Sequence, residues 1–201
     1  MRSSLVSLSL LLLLPGPAFA LQRASITHQR PGFTVNTRTV YYGISGSTAA
    51  DMRTQLDQLG PIEPASGKHY DGYANWKFNW RFRYFESPGR CRLTKAIVSL
   101  NLKYTMPRWQ RPADASITLS AQWNSYLIAL DKHEKGHGAI AIAAGEKMTA
   151  KMRALTPRSS CSRLEAAVTR IGTTEAKRTD ASEVAYDART DHGATQGARF
   201  P

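Results

Sequence analysis

The segment from about Ser116 to Leu155 constrains this chain more than any other. It lies between the proline-rich stretch Pro107–Pro112 and Pro157, and it contains no proline of its own. At 100° per residue, Trp123, Leu127, Leu130, Ala141, Met148, Met152 and Leu155 fall on one apolar stripe. A single long helix is expected there, and its stripe must be buried against another element. That element is legible upstream. Trp76, Phe78, Trp80, Phe82 and Tyr84 alternate with Lys77, Asn79, Arg81 and Arg83, the period of a half-buried strand. Glu86-Ser87-Pro88-Gly89 turns the chain. Ala96, Val98, Leu100, Leu102 and Tyr104 then alternate with Ser99, Asn101 and Lys103, so an antiparallel hairpin with one buried face is expected.

The other elements are shorter. Thr34 to Tyr42 reads as a strand. A helix follows, capped by Ser47 or Thr48, with Met52, Leu56 and Leu59 on one face and Gly60-Pro61 as its stop. Residues 61–72 read as a loop. A further helix is expected from Ser162, which with Glu165 makes a capping box, and it carries Leu164, Val168 and Ile171. The last thirty residues or so read as a polar tail. The order β-α-β-β-α-α, without repeats or linkers, indicates one α+β domain.

Residues 1–20 read as a signal peptide. Arg2 supplies the positive start, Leu5 to Leu14 the apolar run, and Ala18-Phe19-Ala20 the cleavage site. The single domain then spans residues 21–201, exported to the periplasm or secreted, with no transmembrane segment of its own. In an oxidising compartment the two cysteines, Cys91 and Cys161, are expected to pair. The chain carries 27 Lys+Arg against 15 Asp+Glu, a net charge of +12. Such a charge suits nucleic acid, an anionic membrane surface or an acidic polymer, and does not choose among them.

The chemistry lies on the long helix. His133-Glu134-Lys135-Gly136-His137 is an H-E-x-x-H sequence. Residues four apart share a helix face, so both imidazoles reach one ion, and the glutamate between them can take a proton from a metal-bound water. Glu134 falls about 20° from the centre of the apolar stripe, His137 about 40° and His133 about 80°. Three ionisable groups therefore face the interior, where a metal ion satisfies all of them. A catalytic zinc wants a third protein ligand. Glu146 points away from the stripe. Glu165, Glu175 and Glu183 are candidates from the following helix, and His192, the only histidine after the long helix, is the preferred one. His28 and His69 stand in no motif and read as structural or exposed.

Several stretches together resemble a bacterial family, domain of unknown function 922, described as secreted zinc-dependent proteases. They are Gly46 to Met52, Leu59-Gly60-Pro61, the Trp76/Trp80 strand, Cys91, Pro107-x-Trp109 and Trp123-x-x-Tyr126. His133-Glu134-x-x-His137-Gly138 and Tyr186-Asp187-x-x-Thr190-x-His192-Gly193-x-x-Gln196-Gly197 complete the set. The resemblance covers most of the mature chain. It implies a small zincin-like metallopeptidase domain, an antiparallel sheet packed on the H-E-x-x-H helix and a second C-terminal helix. It also favours His192 as a ligand and gives Tyr186 and Asp187 supporting roles around it.

The expected activity is hydrolysis of peptide bonds in a peptide or protein substrate. Zn²⁺ is held by His133, His137 and His192, and Glu134 serves as general base. The alternative is a zinc-binding protein without turnover. Nucleic acid is not an expected partner, because export argues against it and Lys77, Arg81 and Arg83 read as the wet face of the hairpin.

Overall fold

The computed structural model describes residues 25–64 and 67–201, so the expected leader at residues 1–20 lies outside the described residues. Strands β1 (Ser25–Arg30) and β2 (Phe33–Ile44) open the fold, followed by helix α1 (Ala49–Leu59) and strands β3 (Tyr73–Ser87) and β4 (Arg90–Trp109). Helices α2 (Ile117–Arg153) and α3 (Cys161–Thr190) come next, and a single 3-10 turn at Ala194–Gln196 closes the order. The architecture is α+β. No described helix is long and apolar enough to cross a membrane.

The hairpin forms as the alternation predicts. β3 and β4 pair antiparallel, with Trp76 opposite Leu102, Phe78 opposite Leu100 and Trp80 opposite Val98. The sheet as a whole is mixed rather than antiparallel. Its order is β1-β2-β4-β3, and β2 runs parallel to β4 with Val35 opposite Leu100. The reason lies in the connection. α1 and the loop after it carry the chain past the end of β2 to the far edge. β3 then runs back, and β4 fills the gap between them in the direction of β2.

α1 begins at Thr48, whose extended backbone and side-chain oxygen cap Asp51 N–H at 3.2 Å. α2 is one unbroken helix capped by Ser116, whose hydroxyl accepts from Leu119 N–H at 3.1 Å. Two expectations for α3 are corrected. Its cap is Ser160, which accepts from Arg163 N–H, and not a Ser162–Glu165 box. It also runs on to Thr190 through the stretch expected to be a tail. Beyond Val168 its buried positions are Gly172, Glu175, Thr179 and Thr190, not large apolar residues, so no hydrophobic stripe advertises the helix. Glu175, 2% exposed, is tolerated because Lys151 from α2 and Arg178 from α3 both bond its carboxylate.

The core lies between one face of the sheet and the two long helices. Phe33, Val35, Phe78, Val98, Leu100 and Leu102 pack against Ala141, Met148 and Met152 of α2 and Val168 of α3. Burying such side chains stabilises by about 1.5–3 kcal/mol each. A second cluster joins Ile44, α1 and the first half of α2 to Phe200, whose ring meets Trp123 edge-on. Cys91 and Cys161 form the expected disulfide, which fixes the start of α3 to the start of β4.

Candidate metal centre

His133 and His137 lie one turn apart on the inward face of α2, 4% and 8% exposed. The next helix meets them with Asp187, three residues before its end. Asp187 Oδ1 lies 2.9 Å from His137 Nε2 and 3.2 Å from His133 Nε2, and the two imidazole nitrogens are 3.3 Å apart. All three atoms fall within 4.8 Å of one another, an arrangement able to hold a metal ion. Asp187 Oδ1 is buried and makes no hydrogen bond.

The surroundings fix the imidazoles. His133 Nδ1 is 3.0 Å from Gln196 Oε1, so it carries the proton given to that amide oxygen and leaves Nε2 bare toward Asp187. Gln196 also donates from Nε2 to the Tyr186 hydroxyl at 3.1 Å, and that hydroxyl donates to the His133 carbonyl at 3.3 Å. The Tyr186 ring stacks on His133 at 5.1 Å and meets His137 edge-on at 5.0 Å. Gly136 makes room for it, because a Cβ there would sit 2.1 Å from the tyrosine oxygen. Asp191, His192 and Gly193 all have positive φ, and this left-handed turn folds the chain back over His133 so that Gln196 reaches it. Two non-glycine residues in that region cost on the order of 1 kcal/mol each.

Glu134 faces the same cavity and is 4% exposed. The N–H of Ala74, at the start of β3, bonds its carboxylate, and a Cβ on Gly72 would lie 2.7 Å from Oε1. The segment before β3 is therefore moulded to this side chain. It is anchored in turn by Asp71, which takes a hydrogen bond from Tyr126 at 2.7 Å and a two-pronged contact from Arg53. Burial pushes Glu134 up to about 8, with His137 pulling the other way. Burial also raises Glu183, one turn before Asp187, to about 7, and the Trp76 indole opposes that shift.

These two shifts have a stability consequence in the metal-free protein. The folded chain holds protons on Glu134 and Glu183 that the unfolded chain releases near pH 4.5. Their contribution is complete below that value and is lost as pH rises through about 7 and about 8. Thermal melts in chelator should therefore show metal-free Glu134→Gln gaining on the wild type between pH 5 and 9. A difference independent of pH would contradict the assigned burial.

The site opens into a cleft of about 600 Å³. Asp57, Glu63, Asp71, Glu134, Asp180, Glu183 and Asp187 line it, nearly half of the 15 acidic residues, against Arg53 alone among the described Lys and Arg residues. Arg53 is itself paired with Asp71 and Asp57. An acidic cleft in a basic protein thus surrounds the triad, so the net charge gives no reason to expect an acidic substrate there.

The expected residues are therefore only partly gathered. His133, Glu134 and His137 converge, with Tyr186 packed around them. His192 stands behind Asp187, about half exposed, its Nδ1 3.8 Å from Asp187 Oδ2 and its ring 5.3 Å from that of Tyr70. The third group of the cluster is Asp187, to which the resemblance gave a supporting role. Glu146 points away as expected and pairs with Arg30, Glu175 is taken by its cations, and Glu165 is exposed beside Tyr84. His69, exposed, bonds the Gly60 carbonyl at 2.8 Å. Gly72 and Asp71 carried no signal in the sequence, and Gln196 entered only as a position of the motif that carries the family resemblance.

The model of a bacterial protein family of unknown function, DUF922, matches residues 39–193, from the middle of β2 to the turn over His133. The chain belongs to that family. No curated protein and no solved structure matches it. The matched span of this DUF922 member includes every strand and helix from α1 to α3, and with them all three residues of the triad.

Proposed function

We propose that this DUF922 protein is an exported zinc-dependent hydrolase that cleaves peptide bonds on a zincin-like scaffold. One observation carries the proposal: two imidazole nitrogens and an unsatisfied carboxylate oxygen converge beside a buried glutamate. Ligands about 2.0–2.1 Å from one tetrahedral ion lie about 3.3 Å from each other. The three observed separations, 2.9, 3.2 and 3.3 Å, are of that size. Two nitrogens and one oxygen are a donor set that zinc accepts, and they leave a fourth position for water or substrate.

His133, His137 and Asp187 would hold the ion, with His192 behind Asp187 orienting its outer oxygen. When bound there, zinc supplies Lewis acidity toward a water and a carbonyl oxygen. Glu134 takes the proton of the attacking water on its carboxylate and returns it to the departing amide nitrogen. The Ala74 N–H keeps one lobe of that carboxylate in place. Gln196 and Tyr186 keep the His133 imidazole in the tautomer that leaves Nε2 free. The acidic cleft walls suit peptides with basic or neutral side chains.

The zinc-loaded protein should cleave members of an unbiased peptide library, lose that activity in chelator and regain it on adding zinc. Full zinc occupancy without any cleavage would leave a metal-binding protein and remove the hydrolase.

A further inference from the structure

The positive charge absent from the cleft is collected on the sheet. Its four strands contain ten Lys and Arg side chains and a single acidic one, Glu86. The alternation that sends Trp76, Phe78, Trp80 and Phe82 to the helices sends Lys77, Arg81 and Arg83 to the opposite face. Arg38 and Lys103 join them from β2 and β4, as does Lys95. No described helix covers this face.

The arrangement is unfavourable for the isolated protein. Arg83 stands directly opposite Lys95, and Arg38 directly opposite Lys103. Like charges in directly opposed positions destabilise a sheet. Among the described residues every Lys and Arg ion pair involves other cations, so no carboxylate relieves these six. At the hairpin end the face closes on Phe85, 54% exposed, with the Arg92 guanidinium 5.1 Å above its ring. An aromatic side chain beside cations is the composition of a surface that settles at a headgroup interface.

We infer that the open face of the sheet docks on a lipid bilayer bearing anionic phospholipid headgroups. Charge complementarity names the partner, since phosphates would neutralise both opposed cation pairs at once. The alternative anionic polymer is nucleic acid. Single strands are held by aromatic rings interleaved with cations on one surface, and here the sheet's four alternating aromatics lie on the other face, packed on α2 and α3. Docked this way, the acidic cleft on the helical side faces away from the membrane and stays open to solution.

The test uses protein recovered as the host cell processes it, so that wild type and variants share one N-terminus and differ only on the sheet. Co-sedimentation is measured with phosphatidylcholine vesicles, with and without about one third phosphatidylglycerol. Wild type should bind the anionic vesicles at low salt, ignore the neutral ones, and be released at about 0.5 M salt. The combined variant Arg38→Gln, Lys77→Gln, Arg81→Gln, Lys103→Gln should lose about a hundredfold or more in partitioning. Arg38→Lys with Arg81→Lys, which keeps the charge, should bind like wild type and guards against a folding defect in the first variant. Equal binding to neutral vesicles, unchanged binding by the four-site variant, or displacement from vesicles by a single-stranded oligonucleotide would each overturn the inference.

Discussion

Glu134→Gln should abolish hydrolysis while leaving the metal in place. The substitution keeps the shape, the burial and the capacity to accept the Ala74 N–H bond, but the amide cannot take a proton from water. General bases of this kind contribute about 10²–10⁴-fold, so turnover should fall by about 10³-fold with zinc affinity within a fewfold of wild type. Steady-state cleavage and a chelator-competition titration on the same preparations read the two quantities separately. Retained turnover in the variant would remove Glu134 from the proton transfer. Equal loss of metal and activity would mean that the side chain shapes the metal site and does not act on water.

The second large effect separates Asp187 from His192. Asp187 Oδ1 is the buried atom that approaches both imidazole nitrogens, whereas His192 is about half exposed and touches only the outer oxygen of that carboxylate. Asp187→Ala should weaken zinc binding by about 10³-fold or more, because it removes one of three protein donors and leaves two imidazoles facing an empty position. His192→Ala should cost roughly tenfold to a hundredfold, the usual effect of a group that orients a ligand from behind. Competition with a graded series of chelators measures both. The reverse ranking would make His192 the donor and require the turn at Asp191-His192-Gly193 to open.

The ambiguity between these two residues shows where sequence stops being legible. The hairpin could be read because its period of two is continuous over both strands, and α2 because its apolar stripe runs nearly its whole length. His133, Glu134 and His137 were legible for the same reason, since helix periodicity alone places them together. Asp187 was not, because α3 hides as a helix. Its buried positions Gly172, Glu175 and Thr179 offer no apolar period, so the segment through Asp187 resembled a tail. In a tail, a lone histidine is a better zinc ligand than an aspartate. Once Glu183, Asp187 and Thr190 are placed on successive turns of one helix, the aspartate is the residue that faces His133 and His137. Gln196 was hidden differently, since its role depends on a left-handed turn at Asp191 and His192 that their residue types do not demand.

The mixed sheet was also beyond reach of local patterns. Nothing in Thr34 to Tyr42 says which neighbour that strand takes. The parallel pairing of β2 with β4 follows from where α1 and the segment anchored by Asp71 deliver the chain. That same delivery presses Gly72 and Ala74 against Glu134, so the topology and the site share one cause.

The most direct test of the account is calorimetric zinc titration of the metal-free wild-type chain, with X-ray absorption at the zinc edge on the loaded protein. One ion per chain should bind, in a shell of nitrogen and oxygen donors near 2.0–2.1 Å that includes two imidazoles. Failure to bind zinc stoichiometrically, or a shell with one imidazole or none, would contradict a metal centre built from His133, His137 and Asp187.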